Sequence, residues 1–160
     1  METNLLILRQ IDDAKILASD LKNIGLSSSV YPIFEFVEFA PKLPRINDFS
    51  YIITSSKNGI RAFAKKFSCR DVCMYVVGEG SAEEAYKKGF TNIRLGNNNI
   101  IELCEQIKSD LSQSGANLLY VCGENQKYDV VTALGFNGLN VEKLVLYDFI
   151  PISSLSEGVL

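Results

Sequence analysis

Histidine is absent from the 160 residues, which removes the commonest metal ligand and the commonest general base near neutral pH. Zinc hydrolysis and nucleophilic catalysis by Ser-His or Cys-His pairs are accordingly disfavoured, and no metal site is expected. The four cysteines, Cys69, Cys73, Cys104 and Cys122, form no CxxC pair, so they read as reduced thiols. No apolar run approaches the roughly 18 residues of a spanning helix. The opening METNLLILRQ also lacks the basic start and long apolar core of a secretory leader. The expectation is a cytoplasmic protein with no membrane partner. A net charge of -3 with a pI near 5.0 provides no global positive field. Nucleic acid is therefore not an expected partner, and any anion must be held by local groups.

What is present is a 47% hydrophobic chain, long enough for a real core within one domain or two small lobes. Leu5 to Leu8 is a short apolar run. Ile11, Ala14, Leu17, Ala18, Leu21 and Ile24 then recur at helical spacing and stop at Gly25. The extended SSSVYP that follows completes a βαβ unit. IFEFVEFAPKLP, with three phenylalanines and two prolines, suits a connector with strand character. From Tyr51 the alternation becomes stricter. Strands are expected at 51–54, 74–77, 93–95, 118–121 and 141–146, and helices at 57–67, 82–88, 100–112 and 128–136. Ser81 to Glu84 reads as a capping box opening the second of these helices, and Asn99 with Glu102 as a similar start.

The expected fold class is α/β: a complete five-stranded parallel lobe at 49–145 and an incomplete βαβ piece at 1–32. A connector at 33–48 and a return linker at 146–160 would join them, with Ile33 to Phe39 antiparallel to about Val145 to Ile150. Two strands and one helix cover too little of their own sheet. The small piece should therefore be poorly ordered or completed by another chain, which makes self-association through it an expectation.

Three strand ends carry polar, small or amide-rich turns: Thr54-Ser55-Ser56-Lys57-Asn58-Gly59, Gly78-Glu79-Gly80-Ser81 and Cys122-Gly123-Glu124-Asn125. Ligands bind at the carboxyl ends of strands in open α/β sheets, and the unpaired amides of helix starts favour carboxylates or phosphates. Each turn alone is explained by ordinary capping; three on one edge point to a site. Gly78-x-Gly80 resembles a dinucleotide loop, but Glu83 stands where a third glycine belongs, and no P-loop occurs. Asp12-Asp13 suggests a phospho-receiver, yet the next strand ends in Thr54 rather than an acceptor aspartate, and acidic residues in a first helical turn complement the dipole. Arg9 follows the first strand and Tyr147 the last. A tyrosine is protonated at neutral pH, so it can donate a proton but is a poor base. Cys122 has no base beside it and reads as a small apolar strand-end residue.

The order LLILRQ, Gly25 and VYP, YIITSSKNGIRAF, VVGEGSAEEAYKKGF, LLYVCGE and KLVLYDFIP resembles the uroporphyrinogen-III synthase family from about Leu5 to Pro151. The resemblance implies two flavodoxin-like lobes joined by a two-stranded linker, with the substrate hydroxymethylbilane between them and no cofactor. It implies a hydro-lyase that closes this linear tetrapyrrole with ring D inverted, for haem biosynthesis. By matching motif, Tyr147 is the candidate donor to the leaving hydroxyl. Arg9, Thr54, Ser55, Ser56, Asn58, Gly78, Glu79, Gly80, Ser81 and Gly123 are the candidate substrate contacts. The family often has arginine where Cys122 stands, and it continues beyond the linker tyrosine into the rest of the first lobe. A catalytically inactive remnant is the alternative reading, and a receiver-like signalling domain a more distant one.

Overall fold

A computed structural model describes residues 4–112 and 114–152. They form two compact units, 4–37 with 149–152, and 38–148. The expected return linker falls outside the described residues from 153 onward, as does the start of the βαβ piece at 1–3.

In the first unit β1 (Asn4–Ile7) pairs in parallel with β2 (Ser27–Val30) through the crossover helix α1 (Ile11–Asn23). The Gln10 side chain caps α1, accepting from the amides of Asp12 and Asp13 at 3.2 Å each. The paired aspartates thus sit in the first turn, where they complement the helix dipole. At the other end Gly25 takes φ +81°, and the amide of Leu26 reaches back to the Leu21 carbonyl at 2.9 Å. That left-handed stop explains the glycine. Only part of the unit's apolar surface is covered: Ile7 and Ala14 are buried, whereas Leu6 is 51% and Leu8 47% exposed. β3 (Phe34–Glu38) runs antiparallel to the end of β8 (Asn140–Pro151), as expected for the two Phe-rich connectors. Ile152 N donates to Ile33 O at 3.0 Å, Phe39 N donates to Leu146 O at 2.8 Å, and the Phe36 and Phe149 rings meet at 5.6 Å.

The second unit is built on strands apolar on both faces, the pattern of a buried parallel sheet. β4 (Tyr51–Thr54), β5 (Cys73–Val77), β6 (Ile93–Gly96), β7 (Asn117–Gly123) and β8 alternate with α2 (Lys57–Lys66), α3 (Glu79–Lys87), α4 (Ile100–Asp110) and α5 (Val130–Gly135). All four of these strand pairs are parallel. With β3 they form a six-stranded sheet of order β3-β8-β7-β4-β5-β6. The first strand of the lobe lies between the second and the fourth, whereas in flavodoxin it lies between the second and the third. The doubly wound plan is retained, and its switch point falls between β4 and β7. α2 packs on α3, and α4 on α5. Tyr75, Leu118, Tyr120 and Cys122 share one core with Leu103, Ile107 and Leu134, while the alternate residues Met74, Val76, Leu119 and Val121 are buried on the other face. No helix among the described residues is long and apolar enough to cross a membrane.

Two local expectations are corrected. α3 begins at Glu79, not at 82, because Gly78 at φ +75° takes the N-cap position. Ser81 then lies inside the helix, and Glu84 is drawn to Arg61, so the capping box does not form. The final strand is also one continuous run of 12 residues, longer than the expected 141–146. Asn99 does cap α4, accepting from the amides of Ile101 and Glu102 at 3.0 Å each.

The edge where α2 and α3 end is tied by Arg70. Its guanidinium donates to the carbonyls of Ala64, Phe67, Cys69 and Lys88 at 2.6 to 2.8 Å and lies 4.9 Å from the Phe90 ring centre. Arg70→Ala is expected to lower the unfolding free energy by about 2–4 kcal/mol, because hydrogen bonds from a charged donor are lost together. Urea denaturation measures the loss, and Arg70→Lys should recover only part of it. An unchanged midpoint would mean that water replaces the guanidinium without cost.

Candidate functional site

Parallel strands deliver their carboxyl ends to one edge, and the helices that follow open there. At the end of β4, Thr54 is 1% exposed and pressed against α2. A Cβ on Gly59 would lie 2.3 Å from Thr54 Oγ1, so the close approach of helix to strand depends on that glycine. Thr54 Oγ1 is a buried side-chain oxygen with no hydrogen-bond partner among the described residues. Ser56 is the N-cap of α2, its Oγ accepting from Gly59 N at 3.0 Å. The Tyr120 hydroxyl donates to Gln126 at 2.7 Å, and burial raises its pKa, a rise that neighbouring Ser55 opposes. Asn58 accepts from Arg61 at 3.3 Å.

The second turn sits against the first. A Cβ on Gly80 would meet Lys57 Cε at 2.9 Å and Nζ at 3.2 Å, which puts the Lys57 ammonium over the first turn of α3. The amides of Glu79 and Gly80 precede the first bonds of that helix, made by Ser81 N and Ala82 N to Gly78 O. An ammonium beside helix-start amides suits a carboxylate. The Glu79 side chain is exposed and repels one, so only its amide fits the expected role. Ser81 is 7% exposed, within the helix. Arg61 locks the two helices together through both oxygens of Glu84, at 3.0 and 3.1 Å, and holds that carboxyl below its usual range.

Tyr147 reaches the same edge through a register shift. Cys122 pairs with Val145, but Gly123 pairs with Tyr147, so Leu146 is passed over. The bulge brings the tyrosine opposite Gly123, where an even ladder would have placed Leu146. A Cβ on Gly123 would lie 2.8 to 3.2 Å from three ring carbons of Tyr147. The ring therefore rests on bare backbone. Its hydroxyl lies 2.7 Å from Ser56 Oγ, and the residue is 5% exposed. Burial raises the phenol pKa, and the Ser56 hydrogen bond opposes that rise. Cys122 is 3% exposed, and burial pushes its thiol up to about 11. That environment suits the apolar strand-end role and not a nucleophile.

The fold thus gathers Thr54, Ser55, Ser56, Asn58, Gly123 and Tyr147, with Gly78 to Ser81 beside them through Lys57. Arg9 belongs to the other unit, exposed and two residues past the end of β1. Sequence reasoning passes over Lys57 and Gly59 within the quoted turn, and Gln126, whose amide donates to Gly123 O at 2.8 Å and closes the loop after β7. Lysine at a helix start usually reads as solvated, so the available signal is its distance of one crossover from Gly80. A cleft of about 610 Å3 lies at the opposite edge, around Asn117 and Asn140.

A family profile described as Uroporphyrinogen-III synthase HemD matches residues 15–159. Among solved structures, the chain is similar to uroporphyrinogen-III synthetase from Helicobacter pylori 26695, with TM-score 0.60 and 16% identity over 82% of this chain and 59% of that one. It is also similar to a mutant uroporphyrinogen III synthase from the extremely thermophilic bacterium Thermus thermophilus, with TM-score 0.58 and 12% identity over 94% of this chain and 64% of that one. At such identities the likeness is one of fold. The chain spans about three fifths of the length of these structures. No curated protein sequence matches it.

Gly123→Ala is expected to push the Tyr147 ring off its seat and lower stability by about 1–3 kcal/mol, the usual cost of overpacking. Thermal denaturation would register the loss. A variant as stable as the parent, with an unshifted Tyr147 ring resonance, would show that the ring has room to move.

Proposed function

The chain belongs to the uroporphyrinogen-III synthase family, and from that premise we propose that it converts hydroxymethylbilane to uroporphyrinogen III, with ring D inverted and water lost. The observation that carries this reading is the Tyr147 hydroxyl, seated on Gly123 and 2.7 Å from Ser56 at the edge where the helices open.

A polycarboxylate substrate suits that edge. Hydroxyls of Thr54, Ser55, Ser56 and Ser81, the Asn58 amide, the backbone at Gly78, Glu79, Gly80 and Gly123, and the Lys57 ammonium are its proposed contacts in the second unit; Arg9 is a separate proposed carboxylate contact of the first unit. Tyr147 is the proposed donor. Burial raises its pKa, so it is protonated at neutral pH and remains a poor base. As the C–O bond on ring A breaks, the phenol proton goes to the departing hydroxyl and water leaves. The resulting cation is stabilised by the substrate's own pyrrole, and the substituted carbon of ring D attacks it. A spiro intermediate then rearranges, and ring D closes inverted. The work left to the protein is positioning and one proton transfer, for which no histidine or cofactor is required. We place the reaction in the cytoplasm.

Self-association through the first unit is part of the same proposal, motivated by the exposure of Leu6, Leu8 and Ile16. Light scattering that finds only monomer at high concentration would remove it. For the chemistry, Tyr147→Phe should slow formation of the type III isomer roughly ten- to a hundred-fold, the worth of one transition-state hydrogen bond, while leaving binding nearly intact. A coupled assay that separates type I from type III product tests this. No type III product above the spontaneous type I background would refute the activity, and a Tyr147→Phe variant as fast as the parent would refute the donor role.

A further inference from the structure

Resting on the reading of Tyr147 as proton donor, we infer that Gln126 is a positioning residue for Tyr147: its side-chain amide fixes the peptide unit between Gly123 and Glu124, on which the tyrosine is both seated and pinned. The Gly123 carbonyl and the Glu124 N–H belong to one planar group and point in opposite directions. Gln126 Nε2 donates to Gly123 O at 2.8 Å, and Glu124 N donates to Tyr147 O at 2.9 Å. The Gly123 Cα that leads into this plane underlies the tyrosine ring, where an added Cβ would meet three ring carbons at 2.8 to 3.2 Å. Rotating the plane would withdraw the N–H from the Tyr147 backbone and tilt the surface beneath its ring in one motion.

Gln126 is itself held in one orientation. Tyr120, 2% exposed and six residues earlier in the chain, donates its hydroxyl to Gln126 Oε1 at 2.7 Å. Turning the amide over would set Oε1 against the Gly123 carbonyl, acceptor against acceptor. A line of bonds thus runs from the buried face of β7 through the Gln126 amide and the peptide unit to β8. Asn125 Nδ2 adds a bond to Asp148 Oδ1 at 3.0 Å, so the loop grips β8 at two successive residues. Glu124 to Lys127 are exposed, and a short exposed segment opens at little cost unless it is tied. The bulge makes the grip consequential, because Gly123 pairs with Tyr147 only through a shift that passes over Leu146. None of these bonds involves the phenol hydroxyl, so the placement is independent of the partners that the hydroxyl keeps.

Two substitutions at the amide test this role. Gln126→Leu removes both bonds, and Gln126→Glu keeps an acceptor for Tyr120 while setting an oxygen against Gly123 O. With a fluorinated tyrosine at 147, the fluorine resonance should move or broaden in both variants. In turnover each should lose roughly tenfold in kcat, with KM little changed. That loss should shrink to less than about twofold when residue 147 is already Phe, because the hydroxyl through which Gln126 acts is then missing. A residue that only stabilised the loop would give the same loss in both backgrounds. A resonance unmoved in both variants, or an equal loss of kcat in both backgrounds, would overturn the role of Gln126 and, with Tyr147→Phe still slow, leave the donor assignment standing. Tyr147→Phe as fast as the parent would instead remove the donor assignment and, with it, the role given to Gln126.

Discussion

Parallel pairing governs this molecule more than any single contact. Strands that all run one way must be joined by crossovers, and the crossovers cover both faces of the sheet with helices. Every strand of the second unit then ends at one edge, and every helix after it starts there. Capping hydroxyls and unpaired amides collect at that edge, while helix carbonyls collect at the other. Arg70 answers the second concentration by gathering four carbonyls onto one guanidinium. Ser56, Gly78 and Lys57 answer the first.

Close approach at the amide-rich edge is made by leaving out side chains. Gly59 lets α2 settle on Thr54, Gly80 admits the Lys57 stem, and Gly123 receives the Tyr147 ring. The bulge between Cys122 and Gly123 then re-aims a strand residue that an even ladder would have turned away. Together these place a protonated phenol against a helix N-cap without a histidine anywhere in the chain. The edge thus combines one buried phenol hydroxyl with helix-start amides and an ammonium, groups that suit anions.

Much of this is legible in the residues, because the alternation of apolar runs with helical spacing is a local signal. The strand positions, the stop at Gly25 and the Asn99 cap follow from composition over a few residues each. The α3 start is misread for an instructive reason. Ser81 and Glu84 have the spacing of a capping box, but Gly78 takes the cap with a positive φ, and Arg61, from another helix, claims Glu84. Tertiary competition of that kind leaves no mark within the segment. The bulge is equally silent, since KLVLYDF reads as a regular strand. The contacts of Lys57 with Gly80 and of Arg70 with Lys88 and Phe90 span a crossover and depend on tertiary packing, which local patterning does not specify. Tyr147 can be singled out by its place just past the expected last strand, but the continuation of β8 through it to Pro151 and its seat on Gly123 cannot.

The buried thiols give the second unit a property of another kind. Cys104 and Cys122 lie in one core with Leu103, Ile107 and Leu134, and burial pushes both thiols up to about 11. In the closed state they are shielded twice, by lack of access and by scarcity of thiolate. An alkylating reagent therefore meets them only when α4 and α5 lift from the sheet, so the rate of their modification records how often this half of the core opens. The chain carries an internal clock for its own breathing.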